Sequence, residues 1–198
     1  KKKYNVSTFD PKFKNLNLIN KKNVDVIFNA LHGKGGEDGI AQSYFEYLKI
    51  PYTHSGVVSS YNAMNKIISK EIFIKNKIKT PKFFTITQVE FSIQKIKKNI
   101  INAKIKFPIV VKPINEGSSL GVVVCNNKIA LFKAIKKLFK KYDQLIFEEY
   151  IGGQEIQVAV INGNSLGAIE LVPRRLFYDY KAKYTKGANT KHIMPARL

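Results

Sequence analysis

The stretch Lys112–Val124, KPINEGSSLGVVV, decides the fold. Glycine and serine stand where backbone amides can face an anion, and Lys112 lies just upstream, yet no Gly-Lys-Ser/Thr follows. The flanking segments, FPIVVKP at 107–113 and GVVVC at 121–125, are short, apolar and rich in β-branched residues, so both read as strands. A P-loop holds phosphate at a helix N-terminus. Between two strands that dipole is missing, and successive loop amides must form the anion nest themselves. Gly117 lets the backbone approach closely, Glu116 opens the loop, Ser118 and Ser119 add hydroxyls, and Lys112 supplies charge. An ordinary polar hairpin turn is the alternative reading of the same residues.

Working outward, QLIFEEYI (144–151) is a strand carrying Glu148 and Glu149, and GGQ breaks it. EIQVAVI and SLGAIELV, joined by Asn162-Gly163-Asn164, predict a hairpin. Upstream, VDVIFNAL (24–31) reads as a buried parallel strand. The loop HGKGGEDG (32–39) follows it, then a helix with apolar residues at 40, 44, 47 and 48, then a short strand in PYTHSG (51–56). Together they make one βαβ unit. One helix is predicted over 59–76, with Met64, Ile67, Ile68 and Ile72 on its stripe. Another is opened by a capping box at Thr87–Glu90, with Ile93, Ile96 and Ile100 buried. A third, capped by Asn126 or Asn127, buries Phe132, Ile135, Phe139 and Tyr142 and turns Lys133, Lys136, Lys137, Lys140 and Lys141 outward. After Pro173 the chain shows no clear period.

The composition narrows the function classes. The net charge of +20 invites a nucleic-acid reading, but 31 of the 34 basic residues are lysines spread along the chain. Arginine, the usual reader of base edges, appears only as Arg174, Arg175 and Arg197. Lys, Asn and Ile make up 73 of 198 residues, the bias that AT-rich codons produce. The charge therefore reads as a solvated surface, with no nucleic-acid partner. No apolar run approaches the roughly 18 residues of a membrane span, and the single cysteine, Cys125, can form no internal disulfide.

Taken in order, ALHGKGGEDG, FPIVVKPINEGSSLGVVV, LIFEEYIGGQE and FYDYKAKY resemble the D-alanine–D-alanine ligase family of ATP-grasp enzymes over about residues 24–198. The resemblance implies a fold of α/β and α+β class, a truncated Rossmann-like N-terminal domain followed by ATP-grasp subdomains. The expected boundaries are 1–54 for the first domain, 55–151 for the subdomain with the phosphate loop, and 152–198 for the C-terminal subdomain.

By the same resemblance, Lys66 and Lys112 touch the phosphates of ATP, Glu148 the adenine amine and Glu155 the ribose. Backbone groups of Glu149, Tyr150 and Ile151 line the adenine slot. Ser118 and Tyr184 form a pair tying the phosphate loop to the substrate loop, Lys183 stabilises the transferring phosphoryl group, and His32 lies near the first D-alanine. Glu37 orders its own loop, and Tyr178 and Tyr180 close over the site. The family often has a cation where Glu149 stands and an acid where Lys181 stands. Its N-terminal glutamate and its magnesium ligands would lie before residue 1 and after residue 198. No metal site is therefore named, although Mg2+ (or Mn2+) is implied, and ligation by this segment alone is not expected. A cytoplasmic homodimer is implied for the whole protein. The competing readings are a D-Ala–D-Lac or D-Ala–D-Ser ligase, or a non-catalytic ATP- or nucleic-acid-binding module.

Overall fold

A computed structural model describes residues 4–173 and 190–197. The chain forms two compact units, Lys1–Ala63 and Met64–Leu198.

In the first unit a helix α1 (Ile40–Tyr47) packs Ala41 and Phe45 against Ile19 and Ile50. The strand expected at 24–31 is reduced to a single parallel bridge between Ile27 and Tyr52. It is made by Ile27 N–H donating to Pro51 O (2.9 Å) and Thr53 N–H donating to Ile27 O (3.0 Å). Val26 and Phe28 stay exposed, Phe28 by 80%. A strand pair lacking further neighbours is marginal, which is why a run with a strand's composition forms no ladder among the described residues. A second helix, α2 (Val57–Met64), follows.

The single helix expected over 59–76 is broken. Asn65 takes an extended conformation, and its Oδ1 accepts from Ile67 N–H (3.0 Å) and Ile68 N–H (3.2 Å), starting a new helix α3 (Lys66–Lys75). Asparagine is among the strongest N-caps, so it ends one helix pattern and begins another. The break makes Lys66 the first residue of α3.

Next come β1 (Phe83–Thr87), α4 (Ile93–Asn102), β2 (Ile109–Pro113), β3 (Val123–Cys125), α5 (Lys128–Leu138) and β4 (Gln144–Glu149). The strands form an antiparallel sheet in the order β1-β4-β2-β3. Alternation sends Ile86, Ile109, Val111, Leu145 and Phe147 into one core with Ile96 of α4 and Leu131 and Ile135 of α5. Each such side chain contributes about 1.5–3 kcal/mol, so this layer fixes the sheet more firmly than any surface ion pair. Phe84 and Phe147, directly paired in the register, stack at 4.7 Å.

Two details differ from the sequence reading. Thr87 and Glu90 do exchange hydrogen bonds, Glu90 Oε2 accepting from Thr87 N–H and Thr87 Oγ1 from Glu90 N–H, each at 3.3 Å. They do so in a turn, and Ser92 is the residue that caps α4. The buried stripe of α5 is Leu131, Ala134, Ile135 and Leu138, continued by Phe139, while Phe132 and Tyr142 pack at its margin. Asn127, rather than Asn126, is its cap.

A second antiparallel sheet is built from β5 (Glu155–Ile161), β6 (Asn164–Val172) and β7 (Lys191–Ile193). Asn162 and Gly163 both have positive φ (50° and 77°), as the tightest hairpin turn requires. Arg197 grips Glu170 of β6 with Nε and a terminal nitrogen at 2.8 and 2.9 Å.

Candidate nucleotide site

The inward alternation that buries Val111 and Phe147 turns Lys112 and Glu148 to the opposite face of the four-stranded sheet. In the register Val110 faces Glu148 and Lys112 faces Ile146, so Lys112 and Glu148 are diagonal neighbours. Their side chains meet at 2.5 Å between Lys112 Nζ and Glu148 Oε2. Glu148 is 5% exposed, and its other oxygen lies 3.2 Å from Lys70 Nζ. Lys70, which the sequence reading did not single out, is equally buried.

Lys66 comes to the same place from α3. Its backbone N–H donates to Ile114 O (3.0 Å), and its ammonium donates to Glu116 O (2.5 Å), so the helix start is stitched to the loop after β2. Burial, reinforced by the Lys112 charge, pulls the Lys66 ammonium down to about 8, against the opposing pull of Glu148 and Glu116. The Glu116 carboxylate accepts a hydrogen bond from Tyr142, whose phenol is raised by burial and by that carboxylate. Three lysines thus face Glu148 and Glu116, and one of those acids is already engaged by a tyrosine.

The loop itself is wound tightly. Ser118, Ser119 and Gly121 all have positive φ, at 50°, 61° and 72°. Leu120 N–H donates to Gly117 O (3.0 Å). Non-glycine residues held in this region store strain, a property of ligand-gripping loops. A Cβ on Gly121 would lie 2.8 Å from Pro113 Cδ. Gly121→Ala should therefore destabilise the protein by about 1–3 kcal/mol, read as a lower urea midpoint. An unchanged midpoint would show that the loop tolerates a side chain there.

The remaining residues of the sequence reading are placed as follows. The Glu149 amide donates to Lys82 O (3.0 Å), so that amide is occupied by the sheet. Tyr150 and Ile151 follow β4 in the linker to β5, 36% and 61% exposed, and Glu155 opens β5. In the first unit, Glu37 accepts a short hydrogen bond from Gly33 N–H, and its carboxylate lies 3.9 Å from His32 Nδ1. Asn29 and Gln42 both donate to Gly36 O, at 2.9 and 2.8 Å, and brace that loop. Cys125 is buried and its thiol is pushed up to about 11 by burial, which makes it an inert core residue. Tyr178, Tyr180, Lys183 and Tyr184 lie outside the described residues.

A Gly-Ser loop joining two strands, flanked by lysines and beside a buried carboxylate on one face of an antiparallel sheet, fits the ATP-grasp fold class. Family comparison agrees. The chain matches the D-ala D-ala ligase N-terminus over residues 2–55 and the D-ala D-ala ligase C-terminus over residues 72–198. It is 57% identical over 177 residues to the D-alanine–D-alanine ligase of Pelagibacter ubique, covering 88% of this chain and 56% of that protein. Among solved structures, the D-alanine–D-alanine ligase of Bacillus anthracis superposes with a TM-score of 0.73 at 36% identity, over 89% of this chain and 56% of that one. The same enzyme complexed with ATP gives 0.69 at 31% identity, over 89% and 54%. The VanG D-Ala:D-Ser ligase of Enterococcus faecalis gives 0.71 at 32% identity, over 88% and 51%. The chain belongs to the D-alanine–D-alanine ligase family, and it spans between half and three-fifths of the length of these relatives.

The Lys66 value yields a prediction about pH. A bound triphosphate favours the charged ammonium, so nucleotide binding should take up a proton above about pH 8 and weaken as pH rises beyond that value. Calorimetric titration in buffers of different ionisation enthalpy reads the proton directly. No uptake near pH 8 would remove Lys66 from the phosphate site.

Proposed function

We propose that this chain supplies the nucleotide-binding half of an ATP-dependent ligase that joins two D-alanines into D-alanyl-D-alanine for peptidoglycan precursors. The observation that carries the reading is that Lys66 is bonded to the strained Gly-Ser loop while Lys112, on the strand leading into that loop, is paired with the buried Glu148. ATP transfers its γ-phosphoryl group to the carboxylate of the first D-alanine, giving an acyl phosphate and ADP. The amine of the second D-alanine attacks the carbonyl carbon, the C–N bond forms, and phosphate leaves. Such chemistry asks the protein mainly for charge neutralisation and positioning.

In this scheme Lys66 and Lys112 neutralise the phosphates, and the amides of Glu116, Gly117, Ser118 and Ser119 cradle them. Glu148 accepts from the adenine amine, Glu155 meets the ribose, and backbone groups of Glu149, Tyr150 and Ile151 border the base. Ser118 with Tyr184, Lys183, His32, Glu37, Tyr178 and Tyr180 take the substrate-side roles that the family resemblance implies. The Mg2+ implied with ATP finds no cluster of three His, Cys, Asp or Glu among the described residues. The charge neutralisation derived for this chain is accordingly that of its lysines. A cytoplasmic location and a homodimer belong to the same proposal. No helix among the described residues is long and apolar enough to cross a membrane.

The test is phosphate release from ATP by the full-length protein with D-alanine, L-alanine, D-serine or D-lactate. Release with D-alanine alone supports the dipeptide ligase. Release that needs D-serine as second substrate would favour the reading suggested by the likeness to a D-Ala:D-Ser ligase. No release with any of them would overturn both.

A further inference from the structure

Lys70 is a buried cation that the phosphate chemistry leaves unused. It follows Lys66 by four residues, so the two stand one turn apart on the same side of α3. Lys66 reaches the loop and Lys70 the sheet. The Lys70 ammonium donates to Thr80 Oγ1 at 2.7 Å and to Pro81 O at 2.9 Å, and it pairs with Glu148 Oε1 at 3.2 Å. An ammonium has three protons to donate, and these three acceptors account for them. The ring of Phe83, the residue opposite Glu148 in the register, lies 4.8 Å from the same nitrogen. Lys70 is thereby fixed on four sides and has no proton to offer a phosphate.

The consequence falls on Glu148. Its two oxygens are held from opposite sides, Oε1 by Lys70 and Oε2 by Lys112. Lys112 sits at the mouth of the phosphate loop, 21% exposed along its side chain, whereas Lys70 is anchored in the protein. An ionised carboxylate only accepts hydrogen bonds, and it keeps lone pairs beyond those used here. A base edge presented to it must therefore bring an N–H. A 6-aminopurine does so, while a 6-oxopurine places an acceptor against an acceptor, and a buried polar mismatch of that kind discriminates strongly.

We propose that Lys70 is a positioning residue that sets nucleotide specificity, holding the Glu148 carboxylate as a fixed acceptor that selects a 6-aminopurine over a 6-oxopurine. This inference rests on the ATP reading and deepens it, because it assigns base selection to a residue that touches no part of the nucleotide.

The experiment compares the Kd of ATP with that of ITP by calorimetry, in the full-length protein and two variants, at fixed pH and salt. Lys70→Met should lower the ATP-over-ITP preference about tenfold, mainly by weakening ATP, since an oriented charge-assisted acceptor is lost. Thr80→Val keeps both charges and removes one anchor, so it should shift the preference in the same direction by a smaller factor. It also carries the test if Lys70→Met does not fold. Equal weakening of both nucleotides, or an unmoved preference in the folded variants, would overturn the proposal and leave Lys70 a packing residue. Failure of the unaltered protein to bind either nucleotide would overturn the ATP reading itself, a distinguishable result.

Discussion

Lys112→Ala is expected to raise the Kd for ATP by about a hundredfold, the loss of two strong charge-assisted hydrogen bonds. The effect should be large because nothing nearby can substitute. Lys112 projects from β2 at a fixed register, Lys66 is already drawn to the loop carbonyls, and Lys70 has its protons committed. Removing the Lys112 charge also leaves the buried Glu148 with one counter-charge fewer. Calorimetry at constant ionic strength checks the value, since salt screens partly exposed charges. Unchanged affinity would remove Lys112 from the phosphate site.

Glu148→Leu is expected to destabilise the fold by about 3–5 kcal/mol, because it strands the buried Lys70 ammonium without its counter-ion. The double substitution Lys70→Met with Glu148→Leu should regain most of that loss, since an apolar pair of similar volume can replace a buried ion pair at little cost. Urea denaturation of the two variants separates these cases. A single variant that loses under about 1 kcal/mol, the worth of an exposed pair, would mean that Lys70 and Glu148 are not coupled in the folded protein. This test depends on the geometry alone and not on the proposed reaction.

Much of the second unit was legible because its signals are local. The apolar runs at 107–113, 121–125 and 144–149 are short and bounded by turn residues, so the three strands could be read from sequence, while the β2–β4 register that puts Lys112 and Glu148 on one face is a tertiary pairing. The Asn162-Gly163 dipeptide fixes the β5–β6 hairpin through its two positive φ angles. Lys70 escaped the reading for a physical reason. It is one of 31 lysines, and its burial depends on Thr80, Pro81 and Glu148 arriving from distant positions. Its one local signal was the four-residue spacing from Lys66. The break at Asn65 was hidden because the apolar stripe of Met64, Ile67, Ile68 and Ile72 runs through it at helical spacing, and that periodicity outweighed the capping preference of one asparagine. The run at 24–31 carries a strand's composition, but a ladder needs partners, and the described residues give it Tyr52 alone.

The measurement that reaches the central claim most directly follows oxygen from substrate to product. The full-length protein is supplied with ATP and D-alanine labelled with oxygen-18 in its carboxylate, and the released phosphate is weighed by mass spectrometry. Ligation through an acyl phosphate predicts that each phosphate carries one labelled oxygen, the atom that bridged carbon and phosphorus, while the peptide bond keeps the other. Unlabelled phosphate accompanying dipeptide formation would contradict the acyl phosphate, and phosphate release indifferent to D-alanine would contradict the ligase.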